Sequence, residues 1–152
     1  MADRAAQPRT PERRKQDVLT RLTEDQDVWV ATADPAGEPC LVPLCFLWWG
    51  ETLLMSTRAG NPTARNIDVN GRATLSLGHT RDVVLIEATA ESVAPEAVDA
   101  AEAAAFKSKM GWEATNRPDW AVLRFRPLTV RAWREANELR GRQLMRDGQW
   151  LV

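Results

Sequence analysis

The chain has 152 residues and a formal net charge of −1, from 20 Lys and Arg against 21 Asp and Glu. That length suits one domain with a real core, and the near-neutral balance argues against an electrostatic nucleic-acid binder. No apolar run reaches the length of a membrane-spanning helix, and "MADRAAQPRTPERR" lacks the apolar stretch of a secretory signal, so a cytoplasmic protein without a membrane partner is expected.

Residues 1–9 read as a disordered, solvated basic arm, and residues 10–152 as a single domain. Thr10-Pro11-Glu12 is a helix start: an N-cap, proline at the first position and an acid in the first turn. Val18, Leu19 and Leu22 follow as an apolar stripe at helical spacing. "DVWVATADPAGEPCLVPLCFLWWG" predicts two strands joined by a turn at Asp34-Pro35-Ala36-Gly37. Gly50-Glu51 turns the chain into a third strand, "ETLLMST". "NPTARNIDVNG" is a short helix ending near Asn70-Gly71. "RATLSLGHT" and "DVVLIEATAESV" are two more strands, joined around Thr80-Arg81. Pro95 opens a helix over "PEAVDAAEAAAFKSKMG", which Gly111 stops. "DWAVLRFRPLTVRAW" is the last long strand, and Pro127 marks an edge or a bulge within it.

Six strands joined by short turns, with few helices, predict a mainly β fold and a closed antiparallel barrel rather than a βαβ sheet. The second strand, "CLVPLCFLWWG", is apolar on both faces. A strand of a small monomeric barrel needs one polar face. This one is therefore expected to meet another subunit, a bound ring or a covering helix.

Few residues carry chemistry of their own. Cys40 and Cys45 are the only cysteines; on one strand, their odd spacing points them to opposite faces. His79 is the only histidine and reads as a turn residue, so a Cys/His zinc site lacks ligands. Glu87 lies in a strand, where a lone glutamate belongs to the wet face. The stretch "MSTRAGNPTARNIDVN" (55–70) is different. Asn61 and Pro62 start a helix whose free amides at Thr63 and Ala64 attract anions. Arg58 stands just before that helix and Arg65 one turn in. Ser56 and Thr57 add hydroxyl donors. The set suits a phosphate monoester or diester.

The order "VPLCFLWWG", "LLMST", "RxxxxxxARNI" and "VNGRATLSL" resembles the pyridoxamine 5'-phosphate oxidase-like split-barrel family, across about residues 12–150. The resemblance implies a six-stranded Greek-key split barrel, a homodimer and two cofactor sites at the dimer interface. The cofactor is FMN or the deazaflavin coenzyme F-420, with haem the less favoured alternative. The resemblance assigns the cofactor phosphate to Ser56, Thr57, Arg58, Arg65 and Asn66. It sets the ring beside Val42, Pro43 and Leu44. Trp133 or Trp150 of the second chain would cover the ring, and Arg142 would meet an anionic substituent. Thr63 stands where many members carry a lysine, so one phosphate-binding charge is missing. The activity implied is hydride transfer between the cofactor and a small organic substrate, in a pocket lined by Phe46, Trp48 and Met55. The alternative is a binding or carrier protein for flavin, deazaflavin or haem.

Overall fold

The computed structural model describes residues 6–152. Of the arm expected to be disordered, residues 1–5 lie outside the described residues, whereas Arg9 is fixed by hydrogen bonds to Glu138 and Asp17. In chain order the elements are α1 (Pro11–Glu24), β1 (Asp27–Ala33), β2 (Pro39–Cys45), β3 (Leu47–Trp49), β4 (Thr52–Arg58), α2 (Pro62–Asn70), β5 (Arg72–Leu77), β6 (Val83–Val93), α3 (Ala100–Met110), β7 (Trp120–Trp133), β8 (Gln143–Arg146) and β9 (Gln149–Trp150).

The nine strands form one antiparallel sheet with the path β2-β1-β5-β6-β7-β4-β3; β8 pairs with β7, and β9 with β8. The two ends of that path, β2 and β3, are consecutive pieces of one chain segment with only Phe46 between them. The sheet must therefore curl until its edges meet at Phe46. No ladder joins β2 to β4 among the described residues, so the barrel is split along that seam.

The strand count exceeds the expected six for two reasons. The apolar run "CLVPLCFLWW" breaks at Phe46, whose amide bonds to Gln26 O (3.0 Å) and whose ring is fully buried. The tail, unassigned from sequence, folds into the β8–β9 hairpin. The helix expected from Pro95 is also interrupted. Pro95–Ala97 makes one 3-10 turn, Val98 is extended, and α3 starts after Asp99. Burial of Val98 against Phe106 in the second core accounts for the break.

Local chemistry explains most other boundaries. Thr10 Oγ1 caps α1 by accepting from Arg13 N at 3.2 Å. Asp34 Oδ1 accepts from Ala36 N and Glu38 N, both at 2.9 Å, which closes the β1–β2 turn. Pro127 lies where β7 changes its second partner from β4 to β8. The register with β6 shifts there, Ala88 facing Pro127 and Glu87 facing Thr129, so Leu128 is the bulged residue. Gly71 ends α2 at φ 66, and a Cβ there would stand 3.5 Å from Ala90 O. Gly71→Ala is expected to cost about 1 kcal/mol, measured as a shift of the urea midpoint.

The main core fills the barrel, with Val30, Leu53, Met55, Leu75, Ile86, Leu123 and Phe125 at or near zero exposure. A second core under α3 gathers Leu47, Leu54, Phe106 and Val122. Strand β4 runs between the two and is buried on both faces. Helix α1 buries Val18 and Leu22 as its apolar stripe requires, together with Arg14 one turn earlier. The Arg14 guanidinium is satisfied by three carbonyls: Arg9 O (3.2 Å), Glu138 O (3.1 Å) and Gly141 O (3.1 Å). Among the described residues, no helix is long and apolar enough to cross a membrane.

Candidate functional site

Helix α2 starts at Pro62 with Asn61 in the N-cap position, as the sequence requires. Its side chain does not cap the helix. Asn61 Nδ2 instead donates to Thr57 Oγ1 at 3.0 Å, because the end of β4 brings that hydroxyl within reach. The first intrahelical bond runs from Arg65 N to Asn61 O (3.2 Å). Among the described residues, no acceptor reaches the amides of Thr63 and Ala64. At its positive end the helix thus keeps N–H groups without a protein acceptor, on the buried residues Thr63 and Ala64.

Two arginines flank that end. Arg65 is exposed on the first full turn, and Arg58 is exposed at the end of β4. Arg13, Arg21 and Arg124 sit in ion pairs; Arg58 and Arg65 form none among the described residues. Arg65 and Pro62, with Asn66 and Val69, make one wall of a cavity of about 570 Å³. The other wall is the β1–β2 turn, with Asp34, Pro35, Glu38, Pro39 and Cys40. The cavity has a cationic helix side and an acidic turn side. The Asp34 carboxylate is already engaged by two backbone amides.

Asn66 is buried, and its Nδ2 donates to Thr32 Oγ1 at 3.1 Å, which fastens α2 to β1. Thr63 is 1% exposed, with its hydroxyl 3.8 Å from Cys40 Sγ on β2. Position 63 therefore faces the start of β2. The two cysteines point to opposite faces of that strand, since Cys40 pairs with Thr32 and Cys45 with Asp27. Cys45 Sγ donates to Asp27 Oδ1 at 3.2 Å; burial, then that carboxylate, push the thiol above its ordinary pKa.

β2 is an end strand of the sheet, bonded to β1 alone. The bond from Phe46 N to Gln26 O fixes the phase of the ladder. Residues 40, 42 and 44 exchange bonds with β1, so the polar groups of Leu41 and Cys45 and the carbonyl of Pro43 face the free edge. Pro43 is tolerated because its missing N–H falls on that edge. The Val42 and Leu44 side chains pack against the core, while Leu41, at 63% exposure, and Pro43 stand on the outer face beside Trp29.

The remaining assignments scatter. Ser56 and Thr57 point to opposite sides of β4, and Ser56 Oγ donates to Ala114 O at 3.1 Å under α3. Ser56→Ala is expected to cost about 1 kcal/mol of stability and leave cofactor affinity unchanged, which denaturation and binding titrations read separately. Phe46 and Met55 are fully buried core residues, not pocket lining, and Trp48 is half-buried. Trp133 pairs with Val83 at the start of β6, whereas α2 is bonded to Ser92 near its end. At about 3.3 Å per residue this separates Trp133 from α2 by roughly 30 Å along the strand. Arg142 stacks over the Trp133 ring at 5.5 Å. Trp150 lies half-buried under Lys15, whose ammonium is 5.0 Å from the ring centroid. His79 sits in the β5–β6 turn, where its Nδ1 accepts from Arg81 N at 3.2 Å. Glu87 is on the wet face, as expected, and accepts from Thr129 Oγ1.

Sequence reading missed Cys40 as a cavity residue and Thr32 as the anchor of Asn66. It also missed Trp120, which lies across the β4–β7 ladder from Arg58. All three depend on strand pairing that leaves no local signature.

The fold agrees with comparisons to known proteins. A conserved hypothetical protein of Mycobacterium tuberculosis superposes with a TM-score of 0.68 at 17% identity, over 90% of this chain and 92% of that one. An F420 reductase gives 0.59 at 19% identity, over 73% and 93%. The haem storage protein HutZ of Vibrio cholerae gives 0.58 at 16% identity, over 74% and 89%. These likenesses show a shared fold. No curated protein matches the sequence. The sequence model of the pyridoxamine 5'-phosphate oxidase family matches residues 15–134, which covers β1 to β7 and the whole α2 region, and the chain belongs to that family.

Proposed function

We propose that this chain binds FMN or coenzyme F-420 and transfers hydride between that cofactor and a small organic substrate. The observation that carries this reading is the uncapped N-terminus of α2, whose Thr63 and Ala64 amides have no acceptor and which stands beside two arginines without an ion pair, among the described residues. Those donors fit a phosphate. Arg65 and Arg58 supply its countercharge. Thr57 keeps its hydroxyl proton free, since its oxygen accepts from Asn61. The free edge of β2 offers backbone polar groups to a ring, and Cys40 and Thr63 close the space between that edge and the helix. When bound, the reduced ring supplies the hydride; the protein binds it, orients it and excludes water. The likeness to an F420 reductase favours the deazaflavin.

A second copy of the chain completes this reading. Within one chain Trp133 stands at the far end of β6 from α2, so it serves the cofactor only across a dimer. The outer face with Trp29, Leu41 and Pro43 is the apolar surface available for that contact. A dilution-independent monomer mass would remove the dimer from the proposal.

The competing reading is a carrier, favoured by the likeness to a haem storage protein. His79, the only histidine, lies at the β5–β6 turn, away from α2, with Nδ1 engaged. That placement favours a flavin or deazaflavin over haem at the α2 cavity. The test is to load the pure protein anaerobically with reduced FMN or reduced F-420 and add enone, quinone or nitro acceptors. Consumption of the reduced cofactor supports the oxidoreductase, and bound cofactor that persists supports the carrier. Failure of FMN, F-420 and haem alike to bind overturns both.

A further inference from the structure

Helix α2 ends on Asn70-Gly71, and Asn70 is the only asparagine of the chain followed by glycine. That pair carries a reaction of its own. Glycine has no Cβ to hold its nitrogen away from the preceding side-chain amide. The nitrogen can therefore attack Asn70 Cγ. The Gly71 N–Cγ bond forms, the Cγ–Nδ2 bond breaks, and the proton from Gly71 N leaves with the amide group as ammonia. Water then opens the resulting cyclic imide on either side, giving aspartate or isoaspartate. The net change is water taken up and ammonia released, with no oxidant or further reactant.

The folded chain holds every group of this reaction. The attacking nitrogen, Gly71 N, donates to Ile67 O at 2.8 Å. On the leaving side, Asn70 Nδ2 donates to Ala33 O at 2.8 Å, and Oδ1 accepts from Arg72 N at 2.9 Å. The Gly71 carbonyl accepts from Ala90 N on β6 at 2.9 Å. Turning the Asn70 carboxamide onto Gly71 N breaks the first three of these bonds. Water is at hand, because Asn70 is exposed, as is Val69 before it. One more tie lies outside the reacting atoms: Ser92 Oγ on β6 donates to Asp68 Oδ1 at 2.7 Å and holds the same helical turn. A reactive pair thus sits in a closed cap, and the last turn of α2 decides which prevails.

We propose that Asn70-Gly71 is a latent deamidation site gated by the last turn of α2: closed while that turn is docked, and converted to aspartate or isoaspartate when it opens. Neither product rebuilds the cap. A carboxylate has no proton to donate to Ala33 O, and isoaspartate adds a methylene to the main chain just before Gly71. The conversion is one-way, so it ages the chain at the helix that carries the proposed phosphate grip. The chemistry itself does not depend on that reading. Opening of the turn is a local event, and the population of the open form sets the rate.

The test incubates the full chain at mildly alkaline pH, native and unfolded in guanidinium chloride, and follows residue 70 by peptide mass and isoaspartate content. The native rate is expected to be at least about tenfold below the unfolded rate. It should lag by the same factor as hydrogen exchange of the Gly71 amide, since one opening frees both. Ser92→Ala leaves every reacting atom in place and is expected to raise the native rate about threefold, with the unfolded rate unchanged. Asn70→Asp, the direct product, should lower the urea midpoint. Conversion as fast in the native chain as in the unfolded one would overturn the gate. No native conversion while the Gly71 amide exchanges, or a Ser92→Ala rate equal to that of the wild type, would overturn it too. An unchanged midpoint in Asn70→Asp would refute the loss of the cap.

Discussion

Glu138→Ala is expected to lower the unfolding free energy by about 3–5 kcal/mol, the usual consequence of breaking a buried ion pair. The Glu138 side chain is 3% exposed and Arg9 only 10%. Oε1 accepts from Arg9 N (2.9 Å) and Nε (3.0 Å), and Oε2 from Arg9 Nη2 (2.8 Å) and Arg134 N (2.9 Å). Alanine removes all four bonds and leaves four part-buried donors without their acceptor. Arg9 keeps Asp17 at 2.9 Å, which places the loss toward the lower end of the range. A fall in the denaturant midpoint at unchanged slope reads it; a loss below about 1 kcal/mol would contradict the buried clamp.

The same contact sets an acid limb. The Arg9 guanidinium, above all, holds the Glu138 carboxyl down to about 2, and burial opposes this without prevailing. A carboxylate with a depressed folded pKa stabilises fully above its unfolded pKa, near the ordinary glutamate value, and loses that contribution as pH falls toward 2. Asp82 has the same sign: burial raises its pKa, but Arg21, Arg134 and Arg9 together bring it below the ordinary value. Stability of the wild type should therefore drop steeply between about pH 5 and 2, and Glu138→Gln should flatten that limb.

Arg65→Ala should weaken binding of FMN or F-420 by about 1.5–3 kcal/mol, the contribution of a charge-assisted hydrogen bond. The side chain is exposed and without an ion pair among the described residues. Its removal should change stability by less than about 0.5 kcal/mol. Affinity and stability thus separate in one variant. Thr63 matters to this prediction: it is buried against Cys40 and carries no charge, so Arg65 has no neighbouring lysine to compensate for its loss. An unchanged dissociation constant would refute the phosphate assignment.

Much of this architecture is legible in the sequence because it is encoded locally. The alternation in β1 and β6, the Asp34 turn, the Thr10 cap and the Asn70-Gly71 helix end all rest on a few adjacent residues. Long-range partners hide the rest. Arg14 reads as one more basic residue of α1 until the carbonyls of Glu138 and Gly141, more than 120 positions away, surround it. The break at Phe46 is silent because the apolar run continues through it. At the site, the position of the α2 cap and both arginines are readable. Asn61 turning to Thr57 is not, since it depends on how β4 ends. Grouping Ser56 with Thr57 ignored the period of two that sends neighbouring strand residues to opposite faces.

On this reading α2 grips the phosphate of a flavin or deazaflavin. It is tested most directly by titrating the wild-type protein with FMN, F-420 and haem, and with the phosphate-free rings riboflavin and deazariboflavin. Saturable binding of FMN or F-420 is expected, at least about tenfold tighter than that of the matching phosphate-free ring. Equal affinity with and without the phosphate, or saturable binding of haem alone, would contradict it.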